Sequence, residues 1–197
     1  GHGRLAGVMS QICHVFDGVE IESSACSLAR VHAYRQVFEG PIETFTPSAR
    51  YDFILCWAAY EVLDQQKSLL RMNQLLATSG LAVLTGKNAN YLKTDRAARE
   101  AEAGAAQKNF HQWFSDTSLL ENSLGAFGFA LEGVMAFARR GDMAAGTGIG
   151  PLQTFPREPF YEFAICVKKT NDVPALPEVN AWTSRASKVF PAARENR

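Results

Sequence analysis

The residues best placed for chemistry stand at the start of the chain. Gly1-His2-Gly3-Arg4-Leu5-Ala6-Gly7 runs into a helical pattern and then into the strand-like His14-Val15-Phe16-Asp17-Gly18-Val19-Glu20. A Gly-x-Gly turn opening a helix lets backbone approach a ligand closely and points unpaired N–H groups at it. An acid closing the next strand can accept both hydroxyls of a ribose, and Glu20 stands there. The pattern reads as an adenosine cradle, and it serves nicotinamide and methyl-donor cofactors alike. A second Gly-x-Gly, Gly146-Thr147-Gly148-Ile149-Gly150, follows no turn out of a strand and runs into Pro151 with no helical pattern behind it. It reads as a flexible loop.

The elements that must hold these residues follow from periodicity. Segments 14–21, 35–38, 51–57, 81–85, 129–139 and 161–168 are rich in Val, Ile, Leu, Phe and Tyr, as strands are. Between them, 4–12, 24–34, 64–77 and 116–127 space apolar residues three and four apart, as in Leu69, Leu70, Met72, Leu75 and Leu76. Strand and helix in alternation predict an α/β fold: a Rossmann-like, mostly parallel sheet with helices on both faces. Ser115 is the expected N-cap of the last helix, with a Phe114/Leu119 staple, and Gly128 its left-handed close. Residues 140–159, with four glycines and three prolines, read as a long connection that joins a late antiparallel strand pair over one edge. From Asn171 onward, prolines and scattered charges predict a loosely attached tail over 171–197.

Composition bounds the partners. At 197 residues and 47% hydrophobic, the chain is long enough for one sizeable core. Twenty Lys+Arg against twenty Asp+Glu leave no basic imbalance, so neither nucleic acid nor an anionic membrane is an expected partner. The longest apolar runs stop far short of the roughly 18–20 residues that span a bilayer. Cys13, Cys26, Cys56 and Cys166 stand singly, without Cys-x-x-Cys spacing, which predicts no metal site and suits a cytoplasmic setting. The short-chain oxidoreductase pair Tyr-x-x-x-Lys is missing, as are a Gly-x-Ser-x-Gly elbow and a Gly-x-x-x-x-Gly-Lys loop.

Further segments narrow the choice of cofactor. Tyr51-Asp52-Phe53-Ile54-Leu55-Cys56-Trp57-Ala58-Ala59-Tyr60-Glu61-Val62-Leu63, followed by Leu69 to Thr85 through Thr78-Ser79-Gly80, resembles the fourth and fifth motif regions of class I S-adenosylmethionine-dependent methyltransferases of the small-molecule type. Gly18-Val19-Glu20-Ile21-Glu22-Ser23 resembles the second motif of that family, Gly40-Pro41-Ile42-Glu43 its third, and the stretch from His111 to Phe129 its last helix entering strand six. The resemblance covers about 1–170, in the family's order and spacing.

The resemblance implies a methyltransferase domain over 1–170 that moves a methyl group from S-adenosylmethionine to an O or N atom of a small molecule. Gly1 and Gly3 would lie under the methionine part, and Glu20 would bind the ribose with Ile21 against the adenine. Ile42 and Glu43 would line the adenine end, and Cys56 and Trp57 the floor beside the sulfonium. Pro41 stands where many members carry an Asp, and Val62 replaces a common His. Acceptor-side candidates are Tyr60, Glu61, Tyr91 and His111, with 86–114 as an acceptor lid whose Ala-rich helix has a poor apolar stripe. A non-catalytic methyltransferase-like binding domain and, less so, a nicotinamide-dependent oxidoreductase are the competing readings. In this family a central strand feeds the Gly-x-Gly turn, so residues 1–197 alone are expected to fold and bind poorly, with about 30–50 upstream residues restoring both.

Overall fold

A computed structural model describes residues 3–91, 94–107 and 113–185, which divide into two compact units meeting at 49/50. In the first, α1 (Ala6–Ile12), β1 (Gly18–Glu20), α2 (Ser23–Ala29) and β2 (Val37–Glu39) precede a 3-10 turn at Ile42–Thr44. β1 and β2 pair in parallel with Val19 opposite Phe38. Strand β1 is shorter than the apolar run 14–21 because Asp17 is claimed before it. Arg35 grips that carboxylate with two bonds of 2.9 and 2.6 Å, and Gln36 adds a third at 3.0 Å. Helix α2 starts where Glu22 accepts the N–H groups of Ser24 and Ala25, and it buries Ala25, Cys26 and Ala29. It ends five residues before the expected 34, since Tyr34 turns back to pack edge-on against Phe16 at 4.9 Å.

The second unit is built on a five-stranded sheet of order β3-β4-β8-β6-β7. Its strands are β3 (Tyr51–Cys56), β4 (Leu76–Lys87), β6 (Phe129–Phe137), β7 (Ile149–Leu152) and β8 (Glu162–Lys169). Around it lie α3 (Gln65–Leu75), α4 (Arg96–Gln107), α5 (Thr117–Ser123) and α6 (Asp142–Ala145), with a small ribbon of β5 (Trp113–Ser115) against β9 (Thr183–Arg185). β3 and β4 are parallel, and every ladder from β4 across β8 and β6 to β7 is antiparallel. The expected late antiparallel pair is β6–β8. Because β8 lies between β6 and β4, the sheet is mixed rather than mostly parallel. Among the described residues β1 pairs only with β2, and β3 only with β4, where it leaves Phe53, Ile54 and Leu55 half-buried. No described helix is long and apolar enough to cross a membrane.

Three local expectations are corrected. Asp116, not Ser115, caps α5, accepting from Ser118 and Leu119 N–H; the Ser115 hydroxyl donates instead to buried Gln65 at 2.8 Å. Residues 140–159 are not all loop, since they form α6 and the edge strand β7, and Gly146 serves as the left-handed close of α6. The segment 171–185 is no loose tail. Trp182 is fully buried against Phe127 at 5.3 Å, its indole N–H donates to Gln65 Oε1 at 3.1 Å, and the next three residues pair with β5. Gly128 closes the 3-10 turn Leu124–Phe127 in the left-handed region as expected; a Cβ there would strike Asn171 O and Asn73 Nδ2.

Asn73 and Lys169 anchor the far end of this unit. The Asn73 amide donates to Phe127 O and Asn171 O at 3.0 and 2.9 Å and accepts from Val173 N–H at 3.1 Å. Lys169, 2% exposed, donates to Asn73 O at 2.7 Å, Leu76 O at 2.8 Å and Asp172 Oδ1 at 2.6 Å. A buried ammonium thus satisfies carbonyls that the C-terminal end of α3 leaves open.

Candidate functional site

In open α/β sheets ligands bind at the carboxyl ends of the parallel strands. The first unit has such an end at Glu20. Its Oε1 accepts the N–H groups of Ile21 and Glu22 at 2.8 and 2.9 Å, which folds the chain sharply after the strand. The Glu20 carbonyl takes Gly40 N–H at 2.8 Å and the Cys26 thiol at 3.3 Å. Ile21 is 71% exposed, an apolar side chain presented beside an acid. Ile42 and Glu43 sit half-buried in the 3-10 turn after β2. Gly3 has a packing reason for lacking a side chain: its φ is +81, and a Cβ would run into the His32 ring. Gly1 lies outside the described residues.

The second unit presents the ends of β3 and β4. Cys56 is buried, and burial, with Glu61 adding to it, pushes its thiol up to about 12, so it stays protonated and packs as a small apolar group. Trp57 is half-buried. Ala58 then takes φ +51, with its N–H donating to Thr85 Oγ1 at 2.8 Å, and the chain enters a 3-10 turn at Tyr60–Val62.

Tyr60 does not belong to an acceptor surface. It is wholly buried, its hydroxyl donates to Gln65 O at 3.4 Å, and burial lifts its pKa far above the ordinary phenol value. Its neighbour Gln65 ties this wall together, donating to Tyr60 O and Trp113 O while accepting from Ser115 and Trp182. Trp113 is a packing residue here, with the Arg185 guanidinium 5.2 Å above its ring.

Glu61 enters a buried polar cluster. At 9% exposure it lies 3.9 Å from Lys87 Nζ, which donates at 2.9 Å to Glu102 of α4. The Tyr161 hydroxyl donates to the same Glu102 oxygen. Glu162 borders the group, and burial raises its pKa; Lys87 works against that rise while Glu61 and Glu102 add to it. Carboxylates at this depth persist only when paired. The expected lid is therefore tied down where it is described: α4 turns Ala98, fully buried among Tyr91, Phe114 and Tyr161, and Glu102, 4% exposed, toward the body. Its inward stripe looked poor in apolar residues because one inward position is an ion-paired acid. His111 lies outside the described residues. Tyr161→Phe removes a bond to a charged acceptor, and a melt is expected to show a loss of about 1.5–3 kcal/mol.

Thr85, Lys87, Glu102 and Gln65 were not among the sequence candidates. Lys87 had a signal, a lone cation ending an apolar strand, and Glu102 another, four residues after Ala98 on one helical face.

No family model matches the sequence, and no curated protein does. Among solved structures the chain is similar to an S-adenosylmethionine-dependent methyltransferase of Thermotoga maritima, 18% identical, with a TM-score of 0.62 covering 87% of this chain and 78% of that one. It is also similar to an S-adenosylmethionine-dependent methyltransferase of Mesorhizobium loti, 15% identical, with a TM-score of 0.59 covering 83% and 87%. A third is the N-methyltransferase NodS of Bradyrhizobium japonicum in complex with S-adenosylhomocysteine, 9% identical, with a TM-score of 0.56 covering 86% and 74%. The chain has the Rossmann-like α/β fold of the S-adenosylmethionine-dependent methyltransferases.

Proposed function

We propose that the protein is an S-adenosylmethionine-dependent methyltransferase acting on an O or N atom of a small molecule. The observation that carries this reading is the end of β1, where a carboxylate held by its own backbone stands beside an exposed isoleucine. A carboxylate that accepts, next to an apolar side chain, suits a ribose diol beside an adenine. S-adenosylmethionine would supply an already activated methyl group. The chain's own work is to bind, orient and exclude water. In the first unit Glu20 holds the ribose, Ile21 and Ile42 flank the base with Glu43 at its edge, and Gly3 keeps the turn before α1 tight. In the second, Cys56 and Trp57 give the end of β3 an apolar floor.

A general base is needed only for a weakly acidic nucleophile, and Glu61 is the carboxylate that follows that floor, four residues after Trp57. Its tie to Lys87, with Tyr60 withdrawn into the core, favours a second reading, a cofactor-binding domain without transferase activity. The four thiols are unpaired, which supports the cytoplasmic setting.

The test incubates the chain as its gene encodes it with methyl-labelled S-adenosylmethionine and panels of amines, phenols and carboxylic acids. Label on at least one acceptor is expected. Binding of S-adenosylhomocysteine with no transfer to any acceptor would support the binding domain, and no binding would contradict both readings.

A further inference from the structure

Strand β3 leaves the sheet through a turn that needs holding. Its last partner on β4 is Leu84, opposite Cys56, and two residues on, the N–H of Ala58 donates to a side chain, Thr85 Oγ1, at 2.8 Å. Ala58 has φ +51, a left-handed conformation that a residue with a Cβ enters at a cost, and Ala59 follows at φ −134, ψ −26. Strain of this kind persists only where the surroundings over-determine it. The holding group is rigid: Thr85 is 3% exposed, and its residue pairs with Ala164 of β8, so the hydroxyl hangs from a strand fixed on both sides. A hydroxyl here takes the place of the next ladder bond, which frees the chain to turn away at the carboxyl end of β3, the end at which a ligand binds.

We propose that Thr85 is a positioning residue for the bound cofactor. Without touching the ligand, it fixes the Trp57-Ala58-Ala59 turn, and with it the floor that Cys56 and Trp57 provide. The role rests on the methyl-donor reading of the site.

Calorimetric titration with S-adenosylhomocysteine tests it on wild type, Thr85→Val and Thr85→Ser, each checked for a cooperative melt, all in the chain as its gene encodes it. Valine keeps the shape and deletes the acceptor, so affinity is expected to fall about tenfold; serine keeps the oxygen and restores it. Equal affinity in wild type and a folded Thr85→Val would overturn the role of Thr85 alone. A wild type that binds no S-adenosylhomocysteine would instead overturn the methyl-donor reading and this role with it. Hydrogen exchange on the wild type decides without any variant, should Thr85→Val fail to fold. The Ala58 amide is expected to exchange more slowly once S-adenosylhomocysteine is added, and an unchanged rate in the bound protein would overturn the proposal.

Discussion

Lys169→Met is expected to lower the stability of the protein by about 3–5 kcal/mol, a large share of the ~5–15 kcal/mol that holds a domain together. The ammonium it removes is buried and donates to two main-chain carbonyls, Asn73 O and Leu76 O, as well as to Asp172. Methionine fills much of the volume but donates nothing, so both carbonyls are left without this donor at about 1–3 kcal/mol each. Denaturant unfolding monitored by circular dichroism measures the effect, and a loss below about 1 kcal/mol would contradict the cap.

The same substitution changes the response to acid. Hydrogen bonds from Lys169 and then Arg50 hold the Asp172 carboxyl below its ordinary value of 3.8. A group lowered on folding stabilises the protein above its unfolded pKa, and that contribution is lost as pH falls through the lowered folded value. Asp172 is exposed, so solvent screens the effect; the direction is what Lys169→Met should reveal, as a smaller drop in stability over the acid range.

Glu20→Ala is expected to weaken S-adenosylhomocysteine binding by about one to two decades, the value of charge-assisted bonds to the ribose hydroxyls at roughly 1.5–3 kcal/mol. Glu22→Ala is the control, and the structure gives it an effect of its own. Glu22 caps α2 through Ser24 and Ala25, so its loss should lower the melting temperature, costing about 1 kcal/mol, while leaving affinity close to wild type. Equal losses of affinity in the two variants would show that Glu20 acts through the turn it closes with Ile21 and Glu22 N–H rather than on the ligand.

The parts of this molecule that were legible in its sequence are those where one local signal acts unopposed. The apolar runs at 51–57, 129–139 and 161–168 become β3, β6 and β8 almost to the residue, and Asp64 caps α3 as the start of the 64–77 pattern implies. Gly128 is a glycine because nothing larger fits between Asn171 and Asn73.

Where two residues compete, the sequence was silent. Ser115 and Asp116 are both good caps, and the choice falls to Asp116 because Gln65 takes the serine hydroxyl from 50 positions away. Trp182 stands in a proline-rich, charged stretch that resembles a tail, yet its indole N–H has a buried partner waiting at Gln65. Glu102 shares a helical face with Ala98, but spacing alone does not bury a carboxylate; β4, ending in Lys87, and Tyr161 give it the partners that do. That an acid closes β1 was legible; the bond from Ala58 N–H to the Thr85 hydroxyl was not, since it substitutes for a backbone bond and no local pattern marks that.

The central claim is that this fold holds S-adenosylmethionine. Isothermal titration of the chain as its gene encodes it with S-adenosylhomocysteine tests that claim most directly. Saturable one-to-one binding in the micromolar range is expected, strongly reduced in Glu20→Ala and accompanied by a rise in melting temperature. No heat of binding and no thermal shift at millimolar ligand would contradict it.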